Sequence, residues 1–149
     1  MVQGFGDMNF SLTLAAMGSA LGTGVAGMAA IGAWKKAFLK KKTAPFNLLA
    51  FAGAPLTQTF YGFLLRKNII DAGLPADANT YFFQMTIGLL AGFAIGLSAY
   101  MQGKAAACAC DAFAETGEGF AKYLLILGVI ETVALLVMIF SIIAIPSPK

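Results

Sequence analysis

The chain contains no histidine, two cysteines and one tryptophan, and only 11% of its 149 residues are charged. Without histidine there is no Ser-His or Cys-His pair for nucleophilic catalysis. Cys108 and Cys110, a C-x-C pair, are too few for a four-ligand zinc site and read as small packing residues. No GxxxxGK[ST] loop is present to cradle phosphates, so nothing here hydrolyses ATP unaided. The charged fraction lies far below the roughly 25% of an ordinary soluble domain, while 59% of the residues are hydrophobic. A membrane protein is the expectation.

Four apolar stretches are long enough to cross a bilayer, which takes about 20 helical residues. They are Phe10 to Trp34, Pro45 to Leu65, Tyr81 to Ala109 and Tyr123 to Ile145. Barrel strands would be runs of about ten residues with alternating polarity, so the fold class expected is an all-α membrane protein. The connections, 35–44, 66–80 and 110–122, leave no room for a soluble domain, and residues 1–149 form one membrane domain. The first stretch lacks a basic flank and is too long for a signal-peptide core; it is kept as a mature helix. Lys35, Lys36, Lys40, Lys41 and Lys42 crowd the first connection, and lysine-rich short loops stay cytoplasmic. Both termini would then face outward, in a multi-pass protein of the cell membrane. The lysine run reads as a topological signal rather than a nucleic-acid contact.

The chain also repeats itself. Gly18-Ser-Ala-Leu-Gly22-Thr-Gly24 aligns with Gly92-Phe-Ala-Ile-Gly96-Leu-Ser98 at an offset of 74 residues (92 less 18). Two helical hairpins, about 10–65 and about 81–145, are expected as duplicates. Small residues at four-residue spacing let helix backbones approach closely in lipid, which makes the first and third helices the tightly packed pair. Nearly the same offset sets Gln58 opposite Glu131.

Glu131 is the one charged residue between Leu124 and Ile145. An acid at mid-membrane costs about 2.5–3.5 kcal/mol on insertion scales and marks a partner, a cavity or an ion path. Thr57, Gln58, Thr59 and Tyr61 on the second helix, and Ser98 and Gln102 on the third, are the other polar residues at depth. Counting 1.5 Å per residue from the helix ends places Gln102 and Glu131 at similar levels. Gln58 matches less well, unless its helix begins deeper than Pro45. A carboxylate with two amide oxygens and a hydroxyl suits a hard cation, and sodium fits; a proton on Glu131 would also neutralise it. Tyr61 can donate a hydrogen bond that orients the carboxylate.

The duplicated hairpins, Gly18-x-Ala-x-Gly-x-Gly24, Pro55-Leu-Thr-Gln-Thr-Phe-Tyr61, Gln102-Gly-Lys and Ile130-Glu-Thr132 resemble the proteolipid rotor subunit of V-type ATPases over essentially the whole chain. The sodium-translocating bacterial form, subunit K, is the most similar, because Thr57, Gln58, Tyr61, Gln102 and Glu131 fall on its sodium motif. The resemblance implies ion ligands at Glu131, Gln102, Gln58 and Thr57, the backbone carbonyl of Ala54 as a further ligand, and Tyr61 behind them. Ala54 departs from the family's usual leucine, which a main-chain oxygen does not register. The resemblance also implies a homo-oligomeric ring of about ten copies in membrane lipid, with first and third helices inside. A stator subunit's arginine would release the ion, and central-stalk subunits of a soluble ATPase sector would turn the ring. The chain itself would be non-catalytic, and each copy would carry one Na+, or alternatively H+; one carboxylate per two hairpins gives a larger rotation step. Two other classes fit the residues less closely: a small four-helix proton-coupled secondary transporter, and a structural pore for which Glu131 would be dispensable.

Overall fold

The structure, a computed structural model, describes residues 6–146. Its helices are α1 (Phe10–Leu39), α2 (Leu48–Gly53), α3 (Thr57–Asp71), α4 (Ala78–Thr116) and α5 (Phe120–Ile143); a 3-10 turn, Ala54–Leu56, joins α2 to α3. Taken with that turn, α2 and α3 form one span, so four helices are long and apolar enough to cross a membrane. No strand occurs among the described residues.

Proline marks where the helices stop. Pro45 precedes α2, Pro55 sits in the 3-10 turn, Pro75 lies between α3 and α4, and Pro146 follows α5. A proline lacks the N–H that a helix interior needs, and α1, α4 and α5 contain none. Other ends are set by caps. Asp77 Oδ1 accepts from the Thr80 amide at 2.8 Å to start α4. Gly117 closes α4 at φ 71°, a left-handed conformation that glycine adopts without a Cβ penalty.

The helices extend past the ends expected from hydropathy. Arg66, Lys67 and Asp71 continue α3 instead of opening a loop, with Lys67 paired to Asp71 one turn on. Lys35 and Lys36 likewise continue α1, where cations favour a helix C-terminus. Helix length follows capping and propensity, whereas the apolar run marks only the part in lipid. At 1.5 Å per residue α4 is about 58 Å long, nearly twice a hydrocarbon core of about 30 Å. Its end therefore projects into water, where Asp111 meets Lys36 at 3.3 Å.

Packing is parallel between α1 and α4, and antiparallel within each hairpin. A Cβ placed on Gly18 would overlap the Gly96 backbone, and one on Gly103 would overlap Gly22. Only glycine permits this approach, and the resulting backbone contact supplies the dispersion attraction that lipid cannot provide as a hydrophobic drive. Gly62 brings α3 onto Ser11 and Ala15 of α1 in the same way. Asp7, fully buried, caps α1 by accepting from the Ser11 amide at 2.8 Å and from the Ser11 hydroxyl, and its carboxyl lies against Gly88.

Two apolar clusters form. One gathers Leu48, Phe51, Ala26, Ala106 and Leu127, with the ring of Phe51 against Phe113, Phe120 and Tyr123 at centroid distances of 5.1–6.1 Å. The other gathers Ala15, Leu65, Ile69, Ile95, Ala134 and Met138. Cys110 fills a gap in the first cluster while Cys108 is exposed, so the C-x-C side chains diverge. Between the clusters lies a polar layer.

Candidate ion-binding site

The layer begins at the broken helix. Pro55 has no N–H to offer the Phe51 carbonyl, and the chain tightens into the 3-10 turn, with the Thr57 amide bonding the Ala54 carbonyl. That carbonyl is thus withdrawn from regular α-helical pairing and also accepts from the Thr57 hydroxyl at 3.1 Å. Irregular backbone at membrane depth is tolerated where protein groups satisfy it.

Side chains then join across three helices. Thr57 Oγ1 also lies 3.2 Å from Gln58 Oε1, an alternative acceptor for its one proton, and Gln58 Nε2 donates to Gln102 Oε1 at 2.7 Å. Gln102 Nε2 donates to Glu131 Oε2 at 3.2 Å, and also to the Leu127 carbonyl at 3.0 Å. Tyr61 donates its hydroxyl proton to Glu131 Oε1 at 2.6 Å. Gln58 and Gln102 are both 0% exposed, whereas Glu131 and Tyr61 are half-buried and Thr57 is exposed. The site is closed toward the helix core and open on the α3/α5 flank.

The structure brings all the expected site residues together: Thr57, Gln58, Tyr61, Gln102 and Glu131 share one hydrogen-bonded network with the Ala54 carbonyl. Gln58 lies level with Gln102, to which it donates at 2.7 Å, and its span starts at Leu48 rather than Pro45. Thr59 is not in the network among the described residues. Ser98, a polar residue at depth but absent from the expected ligand set, donates to the Ile130 carbonyl at 3.0 Å. A backbone acceptor leaves no mark in sequence, so this link was not foreseeable. Asp7 was also passed over, although an acid just before an apolar helical run is the usual cap signal.

Chemically, the arrangement offers five oxygen donors: the Ala54 carbonyl, the Thr57 hydroxyl, two amides and a carboxylate. Glu131 receives hydrogen bonds only from neutral groups, Tyr61 and Gln102, so its negative charge has no counter-ion among the described residues. An uncompensated carboxylate in hydrocarbon is costly. A monovalent hard cation, or a proton, would cancel it.

Residues 85–144, which carry Gln102 and Glu131, match the family model that describes the C subunit of ATP synthase. The second hairpin is similar to that protein. The match accompanies four helices long and apolar enough to cross a membrane, as in a multi-pass membrane protein. It lies within α4 and α5 and the turn between them, and the first hairpin falls outside it. Comparison with the curated proteins gives no match.

Proposed function

We propose that the chain is the rotor-ring proteolipid of a V-type ATPase and that each copy carries one Na+ on Glu131. The observation that supports this reading is the set of neutral oxygens around a single acid. A proton needs only the carboxylate, whereas the carbonyl of Ala54, the hydroxyl of Thr57 and the amides of Gln58 and Gln102 are what replaces the water shell of a metal cation. On loading, the Gln58 and Gln102 oxygens turn toward the ion, and Tyr61 keeps the carboxylate oriented. The loaded site is then electrically neutral and crosses the lipid-facing part of the rotation without an exposed charge.

The site opens on the α3/α5 flank, and in a ring that has α1 and α4 inside this flank faces the stator. A stator arginine approaching there would displace the ion from Glu131. About ten copies would close the ring, and central-stalk subunits would dock on its cytoplasmic side, where the loop with Lys35, Lys36 and Lys40–Lys42 lies. Four alternating spans then place both termini outside. The competing reading is the same ring carrying H+, for which the Glu131 carboxyl alone would suffice.

Modification of Glu131 by a hydrophobic carbodiimide separates the two. Millimolar sodium at neutral pH is expected to block labelling of the purified protein in detergent; labelling unaffected by sodium would assign the site to protons.

A further inference from the structure

The fourth span is the least embedded of the four. Only 17% of its apolar window is buried, against 33–44% for the others, and its buried residues are Leu127, Ala134 and Met138. Within one copy, apolar packing therefore restrains the rotation of α5 weakly, although Glu131 must face Gln102 and Tyr61. Among the described residues, four hydrogen bonds tie α5 to other helices: Tyr61 to Glu131, Gln102 to Glu131, Gln102 to the Leu127 carbonyl and Ser98 to the Ile130 carbonyl. The first three run through side chains that, on the reading proposed above, hold the ion. The fourth does not.

We infer that Ser98 is a positioning residue, which pins the α5 backbone to α4 at the residue before Glu131 and so fixes the carboxylate in register with its oxygen partners. Ser98 is 7% exposed, and its hydroxyl bonds a carbonyl that the helix ladder already uses. Its contribution is therefore directional, an added bond that selects one rotation of α5. The Leu127 and Ile130 carbonyls are one turn apart, as are Gln102 and Ser98, so two adjacent turns of α4 grip the turn of α5 that leads into Glu131. Because Ser98 touches the ion ligands only through this backbone, its loss is expected to loosen the site without removing a ligand. The inference rests on the sodium reading for its main readout but not for its second.

Equilibrium binding of radioactive sodium to purified wild-type, Ser98→Ala and Ser98→Thr protein tests it. Ser98→Ala is expected to raise the dissociation constant about threefold to tenfold, the range for one lost hydrogen bond, with the number of sites per chain unchanged. Ser98→Thr, which retains the hydroxyl, is expected to restore the wild-type constant. A purely structural role would instead reduce the number of sites at constant affinity, and that result, or an unchanged constant in Ser98→Ala, overturns the inference. Absence of sodium binding by the wild type would sink the sodium reading alone. The rate of carbodiimide modification of Glu131 would then decide: a changed rate in Ser98→Ala, restored in Ser98→Thr, supports positioning, and equal rates in all three proteins overturn it.

Discussion

The two hairpins of this chain carry opposite halves of one site. The first supplies a broken helix and neutral oxygens: the 3-10 turn at Ala54–Leu56, the Thr57 hydroxyl and the fully buried Gln58 amide. The second supplies continuous helices and the single charge, with Gln102 and Glu131 on α4 and α5. Neither half suffices alone, since Gln58 and Tyr61 of the first complete their bonds on Gln102 and Glu131 of the second. The first hairpin thus gives the site a broken helix and no charge, and the second gives it one amide and its one carboxylate. The family match covers residues 85–144, the half that holds the acid.

The comparison breaks most completely at the charge. Glu131→Gln leaves the second hairpin's share of the site as uncharged as the first's, and ATP-driven sodium uptake by vesicles containing the intact complex is expected to fall to background. Next comes the seam between hairpins. Gly18→Val forces a side chain into the Gly96 backbone, an overpacking that costs about 1–3 kcal/mol or more; detergent-purified protein should lose its high-mass form on native gels, or melt several degrees lower.

Gln102→Ala removes the side chain that bridges the halves. Loss of hydrogen bonds to a charged group is worth about 1.5–3 kcal/mol, so the sodium concentration that half-protects Glu131 from carbodiimide should rise roughly tenfold to a hundredfold. Thr57→Val takes one neutral oxygen from the first hairpin and should shift the same midpoint less, by about threefold to tenfold. At the small end, Lys36→Ala breaks an exposed pair with Asp111, and surface pairs of this kind contribute little. No measurable change in melting temperature is expected.

Much of this architecture was legible in sequence because lipid makes polar residues conspicuous. Glu131, Gln102, Gln58, Thr57 and Tyr61 stood out as exceptions in apolar runs, and helix rise alone put two of them at one depth. The glycines announced the α1/α4 seam through their spacing. Other features were hidden for identifiable reasons. The start of α2 at Leu48 and the continuation of α3 through Arg66 and Lys67 to Asp71 are matters of backbone helix formation, which hydropathy does not sense. The Ser98 bond goes to a backbone carbonyl, which every residue possesses. Asp7 carried the signal of a helix cap, but its burial against Gly88 on α4 is a tertiary contact that sequence does not show.

The central claim is that the oxygens of both hairpins hold one sodium ion against Glu131. Equilibrium binding of radioactive sodium to the purified oligomer, wild type beside Glu131→Gln, tests it most directly. The account predicts one ion per chain in the wild type and none in the variant. Sodium retained by Glu131→Gln, or a wild type that binds none, would contradict it.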